Sequence, residues 1–495
     1  MAYRFWDHLR STARIHRFYD RRARSELRSS DGFYRDYRCV LSLDSDPLRV
    51  EPPGLVEQGV CTTDVGSDAN ITAGCQRGDV SHNVLYISRH FPPEYNIGGK
   101  RAWRFARHLG DLGWGCTVVT ADAPPPNRQD PTPLDLPAGV TLSRTYWPTW
   151  YRQRGALASD PSVGLINRSA PQPSWVRRMG SLGRVPVGRD LWLLPRQAAH
   201  LARLAKSSGA DVIYASGSPH ASLVFAQAAA KKTGLPLVVE LRDPWSLSPF
   251  TNYPTSLHRL VERRAEAQVI RAASRVVFTS ETTTEAYRQL YCDLPPSHFV
   301  TIRNSFEPHR RPQAIGRQGG PFELVHFGSC YRSRRLQDVI EAVAMLRDRG
   351  HDPKSWSVLN LGRMNADDIE LAESLGLPSL LRWRTAMPYA EGLELLAGAD
   401  ALLLLAYGKE TQFLPGKLYD YLLVRRPILT VASPSELTAI IDDTRTGSCY
   451  APGQVKEIAD WLEGALMDRD APFAPDDDKL SEYEASRATA KLVEV

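Results

Sequence analysis

From residue 83 onward, short apolar runs alternate with stretches in which apolar residues return every three or four positions. Residues 83–88, 116–120, 211–216, 237–241 and 275–280 have the length and content of buried strands, and 322–327, 356–362, 401–406 and 428–431 repeat the pattern. Between them, residues 100–112, 221–233, 263–273, 336–349, 417–424 and 458–467 read as helices, with a last one from 481 to the C-terminus. In the first, Ala102, Phe105, Ala106 and Leu109 fall on one face, and in 417–424 Leu418, Tyr421 and Leu422 do. Strand–helix–strand alternation predicts parallel sheets covered by helices. Two such series, parted by the polar stretch 308–320, predict an α/β chain with Rossmann-like domains at 81–310 and 311–470. Residues 1–80 lack periodicity and read as a poorly ordered extension.

Composition narrows the class. At 495 residues, with 42% apolar and 24% charged positions, the chain has enough material for a full core. A net charge of +5 is too small to argue for nucleic acid. No apolar run nears the roughly 18 residues of a membrane helix. The first thirty residues are basic and lack the apolar core of a signal peptide, so a cytoplasmic protein is expected. Seven scattered cysteines without a Cys-x-x-Cys favour neither disulfides nor zinc. Local charge says more. Arg152, Arg154, Arg168, Arg177, Arg178, Arg184, Arg189 and Arg196 are interleaved with Tyr151, Trp175 and Trp192, just after Trp147 and Trp150. Arginine with tryptophan suits an anionic membrane surface or a lipid diphosphate; the alternatives are a solvated loop whose rings cover the core and, third, a nucleic-acid contact.

The chemistry concentrates at predicted strand ends. The loop 412–416 follows strand 401–406 and opens helix 417–424, outside the carboxyl end of a strand, where open α/β sheets take ligands. Open amides and the helix dipole welcome an anion there. Lys417 adds a positive charge and Asp420 follows one turn on, a pairing suited to a nucleoside diphosphate. Gly328-Ser329-Cys330-Tyr331 precedes Arg332, Arg334 and Arg335, which makes a second diphosphate cradle. Arginines at a helix start oppose the dipole unless an anion sits there. Ser216-Gly217-Ser218-Pro219-His220 and Arg242-Asp243-Pro244-Trp245 end successive strands and offer polar groups to one crevice. The bland alternatives are a structural His220 and an Asp243 that caps a turn over Trp245. Gly98-Gly99, placed in a loop before Lys100, lets backbone approach a ligand or makes a plain tight turn; Gly-x-Gly-x-x-Gly is absent.

The run Pro415-Gly416-Lys417-Leu418-Tyr419-Asp420-Tyr421-Leu422 before Arg425-Arg426-Pro427-Ile428-Leu429 resembles the donor-binding element of retaining glycosyltransferases of family 4, with the GT-B fold. The closer match is a branch with Lys-Leu-x-Glu-Tyr-Leu and Arg-Asp-Pro-Trp patterns. Gln412 and Asp420 stand at the spacing of the family's paired glutamates; Asp420 can still accept from a ribose, whereas Gln412 brings no negative charge. Phe91-Pro92-Pro93 with Gly98, Gly99 and Lys100 resembles the family's first loop, and Leu381 through Pro388-Tyr389 its base-binding turn. The resemblance spans about residues 82–490. It implies two Rossmann-like domains facing a central cleft, with 471–495 returning to the first. It further implies transfer of a sugar from a nucleotide-sugar to a glycan or lipid-linked acceptor, with retention, in polysaccharide biosynthesis, by a protein peripheral to the membrane. Lys417, Arg332 and His220 would be the catalytic set. Gly328, Ser329, Arg334, Arg335, Gln412, Pro415, Gly416, Asp420 and Pro388 would hold the donor. Gly98, Gly99, Lys100, Arg242 and Asp243 would face the acceptor. Neither metal nor cofactor is expected, because side chains supply the positive charge. The rival readings are a non-catalytic nucleotide-sugar or membrane-binding protein, and an epimerase on the same fold.

Overall fold

Buried parallel strands flanked by helices organise both halves of the computed structural model. It describes residues 82–94, 97–123, 129–130, 139–145, 166–167, 193–249, 251, 253, 255–313, 319–330, 334–384, 387–407, 413–469 and 472–495. The extension 1–80, most of the arginine–tryptophan segment, Arg332 and Gln412 lie outside these residues.

The first half supplies β1 (His82–Ser88), β2 (Trp114–Val119), β3 (Val140–Ser143), β4 (Ile166–Asn167), β5 (Val212–Gly217), β6 (Leu237–Leu241), β7 (Arg275–Phe278) and β8 (Phe299–Thr301). Seven of them form one sheet in the order β3-β2-β1-β5-β6-β7-β8, with every pair parallel. The second half supplies β9 (Phe322–Phe327), β10 (Trp356–Leu361), β11 (Met364–Asn365), β12 (Leu381–Arg384), β13 (Ala401–Ala406), β14 (Ile428–Ala432) and β15 (Gly447–Tyr450). Its six-stranded parallel sheet runs β12-β10-β9-β13-β14-β15, and β4 pairs separately with β11. Central strands are apolar on both faces because helices cover both; every residue of β13 is buried.

Three predicted boundaries are corrected. The first helix begins at Ile97, so Gly98 and Gly99 lie in its opening turn and not in a loop. A Cβ on Gly98 would meet the Arg242 guanidinium, which Gly217 O and Ser218 O hold in place, so glycine there leaves room for it. The helix expected from 263 begins at Ser256, because the Thr255 side chain caps it by accepting from His258 N at 3.3 Å. The C-terminal helix is two, Asp477–Ser481 and Ala485–Val493. Between them Phe306 N donates to Tyr483 O and Ala485 N to Phe306 O, both at 2.9 Å, so the outgoing and returning chain segments pair. Ala488, Leu492 and Val493 then join the first-half cluster of Tyr86, Trp103, Phe105 and Ala106.

Buried charge fastens the outgoing segment. Arg101 and Glu240 are 2% and 0% exposed and pair at 2.7 Å. The same guanidinium donates to Ile302 O at 2.8 Å and Arg303 O at 2.7 Å. Ser216 Oγ donates to the second Glu240 oxygen at 2.5 Å, so both charges are satisfied. Across the halves, Arg303 Nε donates to Glu436 Oε1 at 2.7 Å. Near the end of the helix Glu281–Leu290 the Tyr287 and Tyr291 rings stack 6.1 Å apart.

Candidate functional site

Strand order reverses between β1 and β5 in one sheet and between β9 and β13 in the other. Connections leave such neighbours in opposite directions and open a crevice at the carboxyl ends. The second crevice is widened by a short ladder: β13 pairs with β9 only at Ala401–Leu324 and Leu402–Val325. Beyond it Tyr421 Oη bridges the parting strands, accepting from Phe327 N at 2.8 Å and donating to Leu403 O at 3.1 Å. The two crevices face one cavity of about 800 Å³, lined from the first half by His90, Ser218, Arg242 and Asp243 and from the second by Gly328, Ala406 and Lys417.

The second-half wall centres on Lys417, the first residue of the helix Lys417–Val424. It is 9% exposed, and its Nζ lies 2.7 Å from His326 Nε2 and over Gly328. The amides expected to face an anion are partly spent: Leu418 N donates to Pro415 O at 3.0 Å and Tyr419 N to Gly416 O at 3.3 Å. Positive charge at the loop therefore rests chiefly on the lysine. Asp420 is 6% exposed. Its Oδ1 accepts from Tyr389 Oη at 2.5 Å and lies 3.6 Å from Lys100 Nζ, which reaches over from the first half. Burial pushes the Lys100 amine down to about 8, with Asp420 acting in the opposite sense.

On the facing wall the Arg242 guanidinium is held by Gly217 O at 2.6 Å and Ser218 O at 3.0 Å. Thr279 Oγ1 donates to Arg242 O at 2.8 Å. Burial raises the Asp243 carboxyl, and Arg242 works against that rise.

The cavity thus gathers Gly98, Lys100, Arg242, Asp243, Gly328, Arg334, Pro415, Gly416, Lys417 and Asp420 from the residues singled out in the sequence. Others point elsewhere. His220 stacks on Trp245 at 4.7 Å and 3° and is not part of the cavity wall. Burial pushes its imidazole down to about 4, so it is neutral. Arg335 pairs with Asp368 at 2.5 Å and Asp367 at 3.3 Å, which resolves its conflict with the helix start without an anion. Ser329 Oγ accepts from Arg363 N at 3.4 Å, Gly99 is buried outside the lining, and Pro388 precedes the helix Tyr389–Ala397.

Sequence reasoning passed over His90, Thr279, Ser280 and Asn304, which line the cavity, and His326 behind Lys417. His90 carried a signal, since it follows β1 at a reversal point; its Nδ1 lies 2.9 Å from Glu94 Oε2. Among the described residues no group of three or more His, Cys, Asp or Glu could hold a metal ion, and no helix is long and apolar enough to cross a membrane.

Residues 98–305 match the model of the glycosyl transferase 4-like domain. The fold is similar to that of sucrose-phosphate synthase from Thermosynechococcus elongatus, with a TM-score of 0.54 at 11% identity over 83% of this chain and 98% of that one. It is similar to an α,α-trehalose-phosphate synthase (UDP-forming) from Burkholderia vietnamiensis, at 0.53 and 12% over 84% and 97%. An α,α-trehalose 6-phosphate synthase from Burkholderia multivorans gives 0.52 and 14% over 83% and 97%. No curated protein matches the sequence. At these identities the likeness is one of fold: two Rossmann-like domains in the GT-B arrangement.

Proposed function

We propose that the chain is a glycosyltransferase that moves a sugar from a nucleoside-diphosphate-sugar to a hydroxyl of a glycan or lipid-linked acceptor, with retention. The observation that carries this reading is a buried lysine over glycine backbone at the reversal point of one sheet, facing a polar wall at the reversal point of the other. The glycosyl transferase 4-like match over the first half supports it. Breaking the sugar–phosphate bond builds negative charge on the departing diphosphate, and a cation fixed beforehand at that place lowers the barrier. Lys417 is that cation, with Arg334 on the same wall. Asp420 takes ribose hydroxyls, and Asp243 receives the acceptor hydroxyl opposite. In the retaining reaction that hydroxyl attacks from the face the diphosphate leaves.

The test is nucleoside diphosphate release by the purified protein across a panel of nucleotide-sugars and acceptors. Turnover that falls about 100-fold to 1000-fold in Lys417→Ala, with donor binding less affected, is expected. Lys417→Arg restores it only in part, because a forked guanidinium replaces a compact charge. Donor binding without turnover on every acceptor would favour a non-catalytic nucleotide-sugar-binding protein.

A further inference from the structure

We propose that His326 is a positioning residue: its Nε2 accepts from Lys417 and fixes that amine at the diphosphate side of the cavity, and Asn360 sets the tautomer that allows it. The inference rests on the diphosphate reading of the cavity given above.

The direction of each hydrogen bond follows from the one before it. Asn360 Nδ2 donates to Gly362 O at 3.1 Å and Arg363 O at 3.0 Å, so its Oδ1 is the atom turned to His326. That oxygen lies 2.6 Å from His326 Nδ1 and can only accept, so Nδ1 carries the hydrogen. Nε2 then presents a lone pair, and Lys417 Nζ stands 2.7 Å from it. An ammonium only donates. The chain therefore runs one way, from Lys417 through His326 and Asn360 into the backbone after β10. His326 and Asn360 are 0% exposed, so water does not compete. An imidazolium would present a hydrogen at Nε2 and repel the ammonium. Burial first, and the Lys417 charge second, hold the imidazole well below its ordinary range.

A lysine stem has many rotamers, and one held before the reaction loses no freedom during it. His326 lies two residues before Gly328, on the strand whose end forms the cavity floor, so the ring is carried by a rigid element. A histidine that merely fills the core would affect folding alone. A positioning residue acts through Lys417, and a double-mutant cycle separates the two.

The experiment compares His326→Leu, His326→Gln and Lys417→Ala, alone and combined, by steady-state kinetics on the full chain. His326→Leu should lower kcat about 100-fold while donor KM moves little. His326→Gln, whose amide oxygen can accept in place of Nε2, should recover most of the loss. In the Lys417→Ala background His326→Leu should cost nothing more. Equal cost in both backgrounds, or no cost in either, overturns the inference. Should the leucine variant fail to fold, His326→Phe takes its place, since it keeps a ring and offers no lone pair to Lys417; unchanged kcat there also overturns it. A wild type that turns over no nucleotide-sugar refutes the glycosyltransferase reading, and inorganic pyrophosphate, titrated calorimetrically, then decides the positioning role. Affinity about tenfold weaker in His326→Leu and regained in His326→Gln upholds it; equal affinity, or no pyrophosphate binding by the wild type, rejects it.

Discussion

Lys100 and Asp420 meet across the cavity, Nζ to Oδ1 at 3.6 Å, although one belongs to the helix after β1 and the other to the helix after β13. The Lys100 amine also sits 3.2 Å above the centre of the Tyr389 ring. A contact between halves is thereby made through the carboxylate proposed to bind the donor.

This contact gives a pH signature. Burial holds the folded Lys100 amine at about 8, below its ordinary value of 10.5. Between those values the unfolded chain holds the proton more tightly, so this group makes stability rise with pH across that window. Below about 8 both states are protonated and its cost is constant. In urea unfolding at pH 7 and pH 10, the wild type should gain on Lys100→Met as pH rises. A stability difference that does not change with pH would show that Lys100 titrates normally.

Asp420→Asn should weaken nucleotide-sugar binding by about 1–3 kcal/mol, the scale of a lost charged hydrogen bond. Calorimetry with the donor found in the panel measures it. Wild-type affinity in a folded variant would remove Asp420 from the donor site.

Gly362→Ala probes the floor under Lys417. A Cβ there would lie 2.5 Å from Gly328 O, at a φ of +155°. Backbone must move on one side or the other, at a cost of about 1–3 kcal/mol. Because Lys417 Nζ lies over Gly328, kcat should fall together with Tm. Loss of Tm with full activity would separate the floor from the site.

Glu240→Gln leaves the buried Arg101 without its counter-charge, and about 3–5 kcal/mol of stability should go at neutral pH. Although burial raises the Glu240 carboxyl, Arg101, Ser216 and Arg242 outweigh it and hold the folded value low. Its contribution is therefore present above the unfolded carboxylate range and disappears as pH falls through the folded value. The deficit of the variant should shrink in acid, as read by urea unfolding at pH 7 and pH 4.

The elements legible in the sequence are those that burial writes most plainly. β6, β9 and β13, and the helix Lys417–Val424, stand where continuous apolar runs and their helical neighbour put them. Two of the edge strands were not legible: Val140–Ser143 and Gly447–Tyr450 are partly exposed and carry no alternation strong enough to mark them. In the site, glycines and charges at strand ends could be read, because topology alone brings strand ends together. Direction could not. Whether Arg335 turns to an anion or to Asp368 depends on a helix distant in sequence. His326 was hidden differently, as a polar residue inside an apolar run, where only its bond to Lys417 distinguishes it from a satisfied core side chain.

The pairing of Phe306 with Glu484 sets a limit on motion. The polypeptide passes between the halves twice, and at that bridge the two passages run side by side. A single tether leaves a body three rotational freedoms. Two tethers fastened together suppress swivel and retain swing. Opening of the cavity is therefore expected along that spine, as a book opens, with Lys100 and Asp420 parting while the two walls keep facing each other.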